Sequence, residues 1–247
     1  MEMPSKRTKC SECPIRKLEH FREFSETELK FVSDFKTGEL DVKAGATILD
    51  EGAQSAHLFT LLSGWAFRYK TLEDGRRQIL NFVLPGDLVG LQGSLIGEMQ
   101  HSVEALSPTK LCVFQRNRLP EVFRNHPTIA FDITWIASRE ERILDENLLS
   151  VGRRSALERA AYLLAFIYQR ARNAGMTRAS QLSVPITQQH VADTLGLSTV
   201  HTNKTLKKLS ARKLIKWHDR SCEVLDVDGL LQVAGWEGLS EQQRPFI

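Results

Sequence analysis

Four cysteines, Cys10, Cys13, Cys112 and Cys222, carry the most distinctive side-chain chemistry in this 247-residue chain. They are too few for a disulfide scaffold at this length, and no apolar core or cleavage site follows the basic start MEMPSKRTKCSEC, so the expected state is reduced thiol or metal ligand. A second concentration of chemistry is VADTLGLSTVHTNKTLKKL, from Val191 to Leu209, whose latter half sets polar and cationic residues around few large apolar ones. There Lys204 suits donation to guanine O6 and N7, Asn203 pairing with adenine, and Val200 contact with a thymine methyl; Thr199 and His201 can donate or accept. Lys207, Lys208, Lys213 and Lys216 suit phosphates, which position without specifying sequence; a solvated surface charge is the alternative for each.

The elements that must hold these groups are legible around them. Thr187 is a natural N-cap for a helix over Gln188 to Leu195, and Gly196 stops that helix by accepting the left-handed conformation. Ser198 or Thr199 caps the next helix. Ala192 permits close helix approach, and Val191, Leu195 and Leu197 supply apolar grip. This is the pattern of a helix-turn-helix, whose second helix enters the DNA major groove. In LIKWHDRSCEVLDV two β segments flank His218 to Ser221 and read as a wing. Charge agrees with an anionic partner: Arg153 to Arg220 holds 13 Lys and Arg against Glu158, Asp193 and Asp219, a net of +10, whereas the remainder nets −7.

Upstream, from about Lys43 to Phe114, short apolar or alternating segments are separated by Gly45, Gly52, Gly64, Asp74-Gly75 and Pro85-Gly86-Asp87. That spacing is the pattern of an all-β sandwich or jelly roll. Asp74-Gly75 reads as a hairpin loop that leaves Arg76 and Arg77 exposed, and Pro85-Gly86 as a type II turn. From Pro127 the period becomes helical. Ile129, Ile133, Ile136, Ile143 and Leu144 form an apolar stripe on a helix from about Ile129 to Leu149, long enough for a partner copy to cover, with the four isoleucines as the expected interface; a helix folded onto its own barrel is the alternative. A further helix spans Ala156 to Arg172, and Asn173 to Ser183 reads as a loop. The longest apolar-looking run, Leu58 to Phe67, is interrupted by Thr60, Ser63 and Gly64 and is shorter than the roughly 18 residues of a membrane helix, so a cytoplasmic location is expected.

With β barrel, long helix and winged helix-turn-helix in that order, the chain resembles the Crp/Fnr family of bacterial transcription regulators. The resemblance covers roughly Phe24 to Val233. It is carried by AGATILDEG, by LLSGWAFRYKTLEDGRRQILNFVLPGDLVGLQG, by the long helix and by ITQQHVADTLGLSTVHTNKTLKKLSARKLI. It implies an α+β protein: an N-terminal cysteine segment (1–23), a cyclic-nucleotide-binding-like jelly roll (24–126), a dimerisation helix (127–152), a winged helix-turn-helix (153–236) and a C-terminal tail (237–247). It also implies a homodimer on palindromic double-stranded DNA, with Thr187 and Ser198 joining the contacts above, and RNA polymerase as a further partner. The nucleotide-binding members carry a Gly-Glu pair and, some ten residues on, an Arg-Ser or Arg-Thr pair. Here Gly90-Leu91 and EMQHSVEA stand instead, so cyclic AMP is not expected, a buried phosphate having no cation to face. The oxygen-sensing branch holds an iron–sulfur cluster on an N-terminal cysteine group plus a barrel cysteine. Cys10, Cys13 and Cys112 match three of those places, and Glu19 and His20 stand near the missing one. A cluster with a non-cysteine ligand, or zinc with His20, are the metal alternatives. A regulator gated by another small effector is the competing function. A cupin-like enzyme is remote from the pattern, since His57 and His101 have no partners at ligand spacing.

Overall fold

The computed structural model describes residues 7–176, 183–239 and 243–247. In chain order the helices are α1 (Glu26–Phe35), α2 (Leu91–Ile96), α3 (Leu119–Asn125), α4 (Pro127–Arg153), α5 (Ala156–Asn173), α6 (Gln188–Leu195), α7 (Thr199–Ala211) and α8 (Val227–Ala234). The strands are β1 (Lys36–Val42), β2 (Thr47–Leu49), β3 (His57–Ser63), β4 (Ala66–Thr71), β5 (Arg77–Val83), β6 (Leu88–Val89), β7 (Ser102–Ala105), β8 (Thr109–Gln115), β9 (Ser183–Val184), β10 (Ile215–His218) and β11 (Ser221–Val224). They form two compact units, which among the described residues are 7–64, 85–138 and 243–247, and 65–84, 139–176 and 183–239.

The first unit is built on the antiparallel sheet β1-β8-β3-β6 and the pair β2–β7. Its core joins Phe31 and Phe35 of α1, Leu58 and Leu62 of β3, Phe114 of β8, and Ile129, Ile133 and Ile136 of α4. Two segments that read as peripheral in the sequence are part of this core. The cysteine segment forms single turns of 3-10 helix over Cys10–Glu12 and Pro14–Lys17 and buries Cys13 and Ile15. The presumed C-terminal tail buries Phe246 and Ile247, with Phe246 stacked on Phe24 at 5.0 Å. Apolar side chains at 246 and 247 explain this, because leaving them in water costs about 2 kcal/mol each.

The second unit joins the β4–β5 hairpin, the C-terminal part of α4, and everything from α5 to α8. Side-chain caps set its helix starts: Ser155 and Glu158 form a capping box at α5, and Asp226 caps α8. Arg170, 4% exposed, donates from Nη1 to Asn81 Oδ1 at 3.0 Å and to Phe82 O at 2.8 Å, so a buried charge tethers α5 to the hairpin. Arg77, read from the sequence as exposed, is half-buried instead: it bonds Asp193 at 3.0 Å and lies over the rings of Phe67 and Tyr69. A carboxylate 116 residues downstream supplies that pairing, which no local pattern announces.

The isoleucine stripe is also corrected. Ile129, Ile133, Ile136 and Ile143 are 0%, 2%, 5% and 4% exposed in the single chain, the first three in the first unit's core and Ile143 facing Tyr162, Phe166 and Trp236. Elsewhere on α4, Phe131, Leu144, Leu148 and Leu149 stand in solvent. A helix that is apolar on two faces serves its own core with one, and the sequence period alone does not say which.

Candidate nucleic-acid interface and cysteine cavity

Thr187 accepts from the His190 amide at 3.2 Å, and His190 Nδ1 accepts from the Thr187 amide at 3.1 Å, a capping box with histidine in the usual place of glutamate. Burial, aided by repulsion from Arg77, lowers the His190 pKa and keeps its ring neutral, as an accepting Nδ1 requires. Gly196 ends α6 in the left-handed region at φ 63°, and Ser198 caps α7 by accepting from the His201 amide at 3.2 Å. Val191, Ala192 and Leu195 of α6 and Thr202, Thr205, Leu206 and Leu209 of α7 are buried, which fixes the rotation of α7 about its axis.

That rotation turns one face of α7 outward. Val200 is 68% exposed, and Ser198, Thr199, His201, Lys204, Lys207 and Lys208 are exposed as well. Two residues expected to read bases are also held from α6: Thr199 donates to Gln189 Oε1 at 3.1 Å, and Asn203 donates to Gln188 Oε1 at 2.9 Å. The sequence reading missed both glutamines; their signal was a polar pair directly after the Thr187 cap. Thr187 itself is half-buried at the helix start. The wing forms as a three-stranded sheet, β10-β11-β9, whose third strand begins at Ser183, within the stretch read as a loop. Residues 177–182 of that stretch lie outside the described residues. Cys222 on β11 is fully buried, and burial pushes its thiol up to about 12.

In the first unit Cys10, Cys13 and Cys112 line one cavity of about 20 Å³, together with Lys36, Thr60, Phe24, Phe246 and Ile247 among others. Burial raises the Cys13 thiol and pushes Cys112 up to about 11, so both are neutral at neutral pH. The Lys36 ammonium beside them bonds Glu39 at 2.6 Å and Thr8 O at 2.8 Å. Burial disfavours its charge, and the Glu39 bond together with attraction to Cys112, Glu39 and Cys10 raises its pKa in spite of that. His20 does not line this cavity; its carbonyl accepts from the Arg244 amide at 2.9 Å. Among the described residues no group of three or more His, Cys, Asp or Glu is arranged to hold a metal ion. Three soft sulfurs suit iron or zinc in kind. In number three sulfurs fall short of a cluster's four ligands, and in room about 20 Å³ holds one water-sized body, too little for a cluster.

Two family models match, the cyclic nucleotide-binding domain over residues 39–126 and the Crp-like helix-turn-helix domain over residues 158–233. The transcriptional activatory protein AadR of Rhodopseudomonas palustris is 35% identical over 178 residues, 72% of each chain. The chain belongs to the Crp/Fnr family of transcription regulators. The activator FnrL of Cereibacter sphaeroides is 27% identical over 238 residues, 95% of each chain. The solved structure of FixK2 from Bradyrhizobium japonicum superposes with a TM-score of 0.69 at 24% identity, covering 79% of this chain and 96% of that one. As a Crp/Fnr regulator the protein is a DNA-binding transcription factor and not an enzyme, and α6 and α7 are its helix-turn-helix. Among the described residues no helix is long and apolar enough to cross a membrane.

Proposed function

We propose that this Crp/Fnr regulator is a homodimeric activator that reads a palindromic DNA site and takes its signal from oxygen or redox state at the cavity of Cys10, Cys13 and Cys112. The outward face of α7 carries the DNA-reading part, with Lys204, Val200, Thr199, His201 and Asn203 toward bases and Lys207 and Lys208 toward phosphates. Two copies joined along α4, through its exposed Leu144 and Leu148, set two such helices on half-sites about 34 Å apart. RNA polymerase is the expected partner of an activator, and the bacterial cytoplasm the expected location. That Cys10, Cys13 and Cys112 line one cavity supports the signal. An iron–sulfur cluster or a zinc ion needs a ligand beyond these three and more room than about 20 Å³. The chemistry assigned here is therefore that of the thiols themselves. Cyclic AMP is not the proposed effector: Leu91 cannot accept from a ribose hydroxyl.

Selection from random duplexes tests this reading, with oxygen-free and air-exposed protein in parallel. The expected result is one palindromic motif whose enrichment changes with oxygen in the native protein and not in Cys13→Ser or Cys112→Ser. A motif enriched equally under both conditions refutes the signal, and no enrichment under either refutes the DNA-reading assignment.

A further inference from the structure

The cysteine cavity is walled in part by residues that come from the far end of the chain. Arg244 donates from Nη1 to Asp87 Oδ1 at 2.7 Å and from Nη2 to Pro85 O at 2.9 Å, and its guanidinium lies 4.5 Å from the centroid of the Phe21 ring. Its backbone is bonded on both sides, donating to His20 O at 2.9 Å and accepting from the Arg22 amide at 3.0 Å. Gly86 is required beneath it: a Cβ there would come within 2.4 Å of the Phe21 ring and 2.6 Å of Arg244 Nη2, at a φ of 87° that only glycine adopts freely. From this anchor Phe246 packs edge-on to Phe21 and flat on Phe24, and Phe246 and Ile247 reach the cavity at 4% and 5% exposure.

We propose that residues 243–247 are a strap that shuts the three-cysteine cavity, so that Cys13 and Cys112 meet any reagent larger than one water only when the strap lifts. Shut, the cavity holds two neutral thiols in a nearly dry setting, where they are poor nucleophiles. Lifted, it admits water, and the Lys36 ammonium then faces hydrated sulfurs that ionise more readily. The strap is held by a polar anchor at Arg244, outside the cavity lining, and an apolar plug at Phe246 and Ile247. Release therefore needs no unfolding of the sheet. In sequence it follows directly on the chain that carries the helix-turn-helix. The proposal deepens the reading of this cavity as the signal site and rests on that reading for its biological meaning.

Alkylation of reduced, oxygen-free protein by iodoacetamide, followed at each cysteine by mass spectrometry, tests it. In the native protein half-buried Cys10 should react first, with Cys13 and Cys112 far behind. Phe246→Ala should speed Cys13 and Cys112 roughly tenfold or more, as local opening becomes easier, while Cys222 stays as slow as before. Arg244→Gln should act in the same direction without touching the cavity wall. Native Cys13 and Cys112 as reactive as Cys10, or rates unchanged in both variants, overturn the strap. If Phe246→Ala also exposes Cys222, Arg244→Gln decides; Cys222 exposed there too makes the segment a folding element and likewise overturns it. Gated thiols in a protein whose DNA binding ignores oxygen would refute the signal assignment and leave the strap standing.

Discussion

Replacing Leu148 and Ile133 by alanine, one at a time, separates the two faces of α4. Leu148 is 74% exposed in the single chain, and Ile133 is 2% exposed in the first unit's core. If a second copy covers Leu148, each protomer gains about 2 kcal/mol from its burial, and truncation in both copies removes about 4 kcal/mol. That raises the dimer dissociation constant by about 10³. The folded monomer should lose under about 1 kcal/mol, because the side chain has few contacts within its own chain. Ile133→Ala should instead cost about 2–5 kcal/mol of folding stability through the cavity it leaves. Sedimentation equilibrium over a concentration series measures the first effect, and denaturant unfolding in the dissociated range the second. Leu148→Ala that dimerises like the native chain refutes the assigned face. Ile133→Ala that weakens association while leaving unfolding unchanged refutes the correction and restores the isoleucine stripe as the interface.

Three further outcomes are expected. Lys204→Ala should relax base preference at one position of each half-site at a cost of roughly 1–3 kcal/mol, whereas Lys207→Ala should weaken all sequences alike and reduce the salt slope by about 1, both read by binding titrations across salt. Since burial lowers the His190 pKa, the unfolded chain takes up a proton that the folded chain refuses, so stability should fall as pH drops below about 6.5 toward the lowered value. His190→Gln keeps an acceptor for the Thr187 amide and should flatten that fall in thermal melts; an unchanged slope would clear His190 of the effect. The Cys112 thiol, raised to about 11, works in the other direction: its stabilising contribution should be lost between about pH 9 and 11, and Cys112→Ser should reduce that loss.

Local rules account for what could be read in the chain. Thr187, Gly196 and Ser198 set helix starts and stops through their own backbone preferences, so α6 and α7 lie where the residues place them. Asp74-Gly75 turns the β4–β5 hairpin for the same reason, with Gly75 at φ 84°. Period determines the helices: α4 and α5 follow their apolar spacing to within a few residues.

The sequence by itself thus determined α4 to α7, the β4–β5 hairpin, the order of barrel, long helix and helix-turn-helix, and the cationic stretch that has to meet DNA, because caps, turns and periodicity act over a few residues. Only the tertiary structure decided which side of α4 is core, that Arg77 pairs with Asp193, that Gln188 and Gln189 hold Asn203 and Thr199, and that Cys10, Cys13 and Cys112 share a cavity lined also by Phe246 and Ile247. Each of these joins residues brought together by packing, and packing depends on total shape and volume, which no local window of the chain contains.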